Sequence, residues 1–122
     1  MPRSTKVLNY LTALAAETPK VGNARIAAAI LNGNTWVSVA TNKNKTHPTQ
    51  ARFAKNSRAI YLHAEVHAIV KALKTLEISE LRGCDLYIAR VAGINREVAP
   101  VTPCVGCAKA IREFGISKVY HT

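Results

Sequence analysis

The sequence lacks the features that would place it in a membrane or in a disulfide-linked fold. No apolar run approaches the roughly 20 residues that a membrane-spanning helix needs, and no apolar block follows the N-terminus. Three cysteines, Cys84, Cys104 and Cys107, cannot all pair with one another. We therefore expect a cytoplasmic protein without a membrane segment, whose Cys-x-x-Cys pair holds a metal or performs redox chemistry.

Acidic residues are scarce as well. Seven Asp and Glu stand against 17 Lys and Arg, which gives a formal net charge of +10. Such an excess favours an anionic partner, either a nucleic acid or a small phosphorylated molecule. Aromatic residues make up only 6% of the chain and are not interleaved with the basic ones. Proteins that bind single-stranded nucleic acid stack bases on aromatic side chains, so this scarcity favours the small molecule.

No internal repeat, low-complexity tract or linker divides the chain, and 122 residues of which 48% are hydrophobic suit one domain over residues 1–122. Apolar spacing predicts helices ending near Glu17, running from about Leu62 to Leu76, and running from Cys104 to about Phe114. Strands are predicted over residues 25–31, 35–40, 85–91 and 116–120, with long loops over 42–57 and 92–102. This order predicts an α/β fold, a three-layer α/β/α sandwich with a mixed sheet of four to five strands.

Two short motifs carry the chemistry: His63-Ala64-Glu65, and Pro103 followed by Cys104 and Cys107. One imidazole and two thiolates are good zinc ligands, and a predicted helix start at Cys104 favours the thiolate form. Three protein ligands leave the fourth tetrahedral position open for water, as a catalytic zinc requires. Glu65 lies two residues beyond His63, where its carboxylate can take a proton from that water without binding the metal.

Other readings of these residues remain open at this point. His67, four residues after His63, could close a structural zinc site, and the chain would then be a non-catalytic, zinc-stabilised nucleic-acid-binding module. A redox Cys-x-x-Cys pair would leave His63 and Glu65 without a role. A metalloprotease site needs its glutamate directly after the first histidine, whereas Glu65 comes one place later.

The two motifs together, in this order, are the signature of the zinc deaminases. From about Arg25 to Tyr120 the sequence resembles the cytidine and deoxycytidylate deaminase superfamily, and it is most similar to the deoxycytidylate branch. The resemblance implies hydrolytic deamination of a cytosine nucleotide, dCMP to dUMP, by zinc-activated water with Glu65 as proton shuttle. It also implies a homo-oligomer. A deaminase acting on a base in single-stranded DNA or RNA, including tRNA adenosine, is the alternative that the net charge supports.

The resemblance also points to residues that contact the substrate. It implies that Asn42 contacts the sugar and that the backbone of Ala64 contacts the base. Lys43 and Lys45 belong to a basic stretch between Asn42 and His63, and this position favours binding of the substrate phosphate over a merely solvated surface.

Overall fold

The computed structural model of the chain describes residues 2–19, 25–43, 47–52 and 62–122. The first half of these residues contains α1 (Arg3–Glu17), β1 (Arg25–Asn32), β2 (Thr35–Thr41) and α2 (Pro48–Arg52). The second half contains α3 (Ala64–Ala72), a 3₁₀ helix (Ile78–Leu81), β3 (Asp85–Ala92), β4 (Glu97–Ala99), α4 (Val105–Glu113) and β5 (Lys118–His121). None of the described helices has both the length and the apolar character needed to cross a membrane.

The five strands form one mixed sheet in which β3 is central. β1 lies between β2 and β3 and pairs antiparallel with both. On its other side β3 pairs in parallel with β5 along its first half and antiparallel with β4 along its second half. This mixed arrangement confirms the predicted sheet. The start of β1 and the ends of β2 and β3 lie at the same end of the sheet.

The two faces of the sheet are covered by different helices, which makes the three predicted layers. Along β1 the side chains alternate: Ala27, Ala29 and Leu31 pack with α1, while Ala28 and Ile30 pack with α3 and α4. Both sets are fully buried, because each face carries a helix layer. The α3 and α4 layer is the one that carries the predicted motifs.

One helix ends earlier than the sequence predicts, and two short elements lie inside predicted loops. The helix predicted to reach Leu76 ends at Ala72, because the chain tightens after Leu73 and the Thr75 hydroxyl bonds the Ala72 carbonyl. The predicted loop over 42–57 contains the five-residue helix α2, and the predicted loop over 92–102 contains the three-residue strand β4. Elements this short carry no periodicity that a sequence could reveal.

Candidate metal centre and active site

The two motifs meet because α3 and α4 begin beside each other on one face of the sheet. His63 is the N-cap residue of α3, and Cys104 is the N-cap residue of α4. Cys107 lies in the first turn of α4, and its backbone N–H donates to the Cys104 sulfur at 3.4 Å. The positive ends of two helix dipoles therefore face the same small volume, which favours negative charge on the side chains there.

The three predicted ligands form a compact group that could hold a metal ion. The His63 Nδ1 atom lies 3.3 Å from the Cys107 sulfur and 3.6 Å from the Cys104 sulfur. A tetrahedral zinc site with Zn–S of about 2.3 Å and Zn–N of about 2.0 Å has an S···N edge of roughly 3.5 Å. One imidazole and two thiols at these separations match zinc in both spacing and donor chemistry.

The surroundings of Cys104 favour a negative charge on its sulfur, as a metal ligand requires. The pKa of Cys104 is lowered to about 3, first by a hydrogen bond from the Cys107 thiol and then by His63. The pKa of Cys107 is raised, because its thiol donates to Cys104 and because it is buried. The hydrogen bond to Cys104 also raises the pKa of His63. Cys104 is thus a thiolate at neutral pH, and a metal would displace the thiol proton of Cys107.

Glu65 lies next to this group and is almost completely buried, with 4% of its surface exposed. Burial raises the pKa of its carboxyl group, which also interacts with the Cys107 thiol. Among the described residues its Oε1 atom is the one buried side-chain oxygen or nitrogen without a hydrogen-bond partner. An unpartnered carboxylate oxygen in such a place is costly to the fold and indicates a binding or catalytic role.

His67 does not belong to the metal-binding group. Its Nδ1 atom lies 2.9 Å from the Thr41 carbonyl oxygen at the end of β2, and the group of metal-ligating atoms contains only His63, Cys104 and Cys107 among the described residues. The structure therefore does not support His67 as a fourth ligand that would close the site.

Three of the four predicted substrate-binding residues lie near the end of β2 and the start of α3. Ala64 is the first residue of α3 and is buried. Asn42 follows β2 and is also buried, and its Oδ1 accepts a hydrogen bond from the Ile26 N–H at 3.1 Å. Lys43 is exposed, and its N–H donates to the Leu62 carbonyl one residue before His63. Lys45 lies outside the described residues.

One residue near the site was missed by the sequence analysis. Gln50 of α2 is 1% exposed, and its Oε1 accepts a hydrogen bond from the His63 backbone N–H at 3.1 Å. A polar, uncharged residue inside a polar stretch carries no signal of burial, so nothing in the sequence pointed to it.

A cavity of about 390 Å³ lies on the other face of the sheet, between α1 and β4, and none of the site residues lines it. Donor chemistry and distances, rather than cavity size, therefore identify the site.

Comparison with known proteins agrees with this geometry. The model of the cytidine and deoxycytidylate deaminase zinc-binding region matches residues 1–122. The chain belongs to this family. The His63, Cys104 and Cys107 group is accordingly positioned as the zinc-binding group of a deaminase. Among the curated proteins, none matches this deaminase significantly.

Solved structures of several deaminases share the fold. The dCMP deaminase of the cyanophage S-TIM5 in apo form is 22% identical, with a TM-score of 0.66, and the match covers 99% of this chain and 83% of that chain. A guanine deaminase from Bacillus subtilis is 25% identical, with a TM-score of 0.63, over 100% of this chain and 64% of that chain. A structure from a study of tRNA:A34 deaminases is 22% identical, with a TM-score of 0.57, over 96% of this chain and 72% of that chain. These neighbours are named for different bases, so the shared fold does not identify the substrate of this chain.

Proposed function

We propose that this deaminase hydrolyses the amino group of a cytosine nucleotide, converting dCMP to dUMP and ammonia. The observation that carries the proposal is the buried Glu65, whose Oε1 has no partner among the described residues, beside a His and two Cys spaced for zinc. In a structural zinc site closed by a fourth ligand, this carboxylate would have no catalytic role.

The chain's residues have separate roles in this reaction. His63, Cys104 and Cys107 would hold the zinc ion, which supplies Lewis acidity that lowers the pKa of water. Glu65 takes one proton from the attacking water and delivers it to the ring nitrogen, and it then moves the second proton, from the newly added hydroxyl, to the departing amino group, which leaves as ammonia. Oxygen is added at the ring carbon that bore the amino group, and the C–N bond breaks there. The raised pKa of Glu65 suits a group that must both accept and release a proton.

Substrate recognition is assigned to the edge of the sheet beside α3. The backbone at Ala64 would contact the base, and Asn42, which is held in place by the hydrogen bond from the Ile26 N–H to its Oδ1, would contact the sugar. Lys43 and Lys45 would neutralise the phosphate, which the net charge of +10 supports.

We also propose that the protein acts in the cytoplasm as a homo-oligomer. Six large hydrophobic side chains are exposed among the described residues, Trp36 and Val98 among them, and a small domain gains stability by burying such surface.

A second candidate is deamination of a base within single-stranded DNA or RNA, and the observation that favours it is the net charge of +10. Contacts between Lys or Arg and phosphates drive this kind of binding and make it steeply dependent on salt.

The proposal is tested by measuring ammonia release from the zinc-loaded protein. The panel consists of dCMP, CMP, deoxycytidine, cytidine, guanine, AMP and short single-stranded DNA and RNA. We expect saturable turnover of dCMP, with much slower turnover of the unphosphorylated deoxycytidine. Release only from the oligonucleotides, falling steeply with salt, would replace the proposal with the second candidate.

A further inference from the structure

The short helix α2 contains one side chain whose burial the helix itself does not explain. Pro48, Ala51 and Arg52 are exposed, whereas Gln50 is 1% exposed. Removing an amide from water is costly unless it gains a hydrogen bond in return. The bond that Gln50 gains is to the backbone N–H of His63, at 3.1 Å.

That N–H group is one that the sequence of α3 cannot satisfy. His63 is the N-cap residue, with φ −74° and ψ 153°, so its N–H lies outside the helical hydrogen-bond pattern. In a capping box a Glu or Gln three residues into the helix accepts from this N–H. The corresponding residue of α3 is Val66, which is apolar and fully buried. Gln50 supplies, from another element, the acceptor that a capping box would supply from within the helix.

The position of α2 depends on its own contacts. The His47 Nδ1 atom accepts from the Thr49 N–H at 3.1 Å, and the Ala51 N–H bonds the His47 carbonyl. Arg52 forms an ion pair with Glu113, the last residue of α4. Both of these charged side chains are about half exposed, so the pair contributes little to stability and serves as a control.

We propose that Gln50 is a positioning residue for the metal ligand His63. Its Oε1 fixes the backbone from which the imidazole projects, and this holds Nδ1 within reach of both sulfurs. The inference rests on the proposed function, because it assumes that His63 binds the metal. Residues that orient metal ligands typically change metal affinity about 10–100-fold when they are replaced.

The test uses Co²⁺ as a spectroscopic probe of the site, with the dissociation constant taken from chelator competition. Gln50→Leu removes the acceptor, Gln50→Asn keeps the amide but shortens its reach, and Gln50→Glu keeps an acceptor of the same length. Ser38→Ala is the matched control, because the Ser38 hydroxyl makes a buried 2.7 Å bond to the Ala68 carbonyl of α3, away from His63. Glu113→Gln controls for the ion pair to α4.

We expect Gln50→Leu and Gln50→Asn to weaken Co²⁺ binding about 10–100-fold and to change its visible spectrum. The Gln50→Glu variant should bind Co²⁺ with an affinity within a few-fold of that of the wild type. Ser38→Ala should lower the Tm of the metal-free protein while leaving the Co²⁺ dissociation constant unchanged, and Glu113→Gln should change neither.

Wild-type affinity in Gln50→Asn, or an equal loss of affinity in Ser38→Ala, would overturn the proposal and leave the proposed function standing. Absence of a thiolate-to-cobalt absorption band in the wild type would overturn both. The Tm of each metal-free variant shows whether a loss of binding comes from unfolding, and Gln50→Asn, the mildest change, decides the matter where Gln50→Leu does not fold.

Discussion

At the scale of single residues, Glu65 shows how a functional group differs from a structural one. Its carboxyl group is buried and one of its oxygens has no partner among the described residues, so in the metal-free protein it costs stability. A carboxyl group whose pKa is raised by folding adds stability below its unfolded pKa and loses that contribution as pH rises through the folded pKa. Selection for folding alone would favour an uncharged side chain at this position.

We therefore predict opposite effects of Glu65→Gln on stability and on activity. The metal-free variant should unfold at the same temperature as the wild type near pH 4 and at a higher temperature at pH 7–8, because only the wild type must then either bury a carboxylate or take up a proton on folding. Its deamination rate should fall at least about 10²-fold while its zinc content is kept.

Thermal unfolding of the metal-free proteins across this pH range, together with turnover and zinc content of the loaded ones, checks both effects. Glu113→Gln removes an exposed carboxylate of α4 and is the control for a general loss of negative charge. An active Glu65→Gln variant would contradict the role of Glu65 as proton shuttle.

The sequence predicted the metal-binding residues because metal chemistry constrains both residue type and spacing. His63, Cys104 and Cys107 were predicted from these constraints, and the structure brings them together. The acceptor for the His63 N–H could not be predicted in the same way. Any Gln, Asn or carbonyl group on a neighbouring element could fill that role, and only the fold decides that it is Gln50.

At the scale of elements, α4 shows both ends of a well-specified helix. Its N-cap residue is Cys104, its C-cap residue is Phe114, and Gly115, whose φ is +74°, follows directly. The Gly115 N–H bonds the Arg112 carbonyl and the Ile116 N–H bonds the Ile111 carbonyl, which is the Schellman pattern. By contrast, α2 and β4 are held by contacts with other elements, so no local sequence pattern predicted them.

We predict that Gly115→Ala lowers the free energy of unfolding by about 1–2 kcal/mol, because a Cβ atom disfavours this left-handed backbone conformation. The new Cβ would also lie 2.9 Å from the Cγ atom of Arg82, an exposed side chain that can move. Gly115→Asn should cost less, since Asn tolerates positive φ.

Gly33→Ala measures the cost of a positive φ without a steric contact, since Gly33 has φ +61° and nothing within 4 Å of the added Cβ atom. Urea unfolding of the three variants measures the differences. Equal stability of Gly115→Ala and the wild type would contradict this account of how α4 ends.

At the scale of the whole molecule, the layered sandwich explains why two distant motifs form one site. The central sheet brings the start of β1 and the ends of β2 and β3 together at one end of the sheet, and α3 begins close to the end of β2, beside the start of α4. The alternation of element types was enough to predict this architecture. The substrate was not predictable to the same degree, because deaminases of this fold act on several bases, and a net charge of +10 fits both a nucleotide phosphate and a nucleic acid.

The measurement that tests the central claim most directly is turnover of dCMP as a function of bound zinc. The protein is stripped with a chelator and reloaded in steps, and dUMP and ammonia are quantified at each step. We predict equal amounts of the two products and a rate that rises in proportion to zinc up to one ion per chain, and a rate at least about 10²-fold lower in Glu65→Gln at full loading. Full zinc loading without any dUMP would contradict the assignment of this site to cytosine nucleotide deamination.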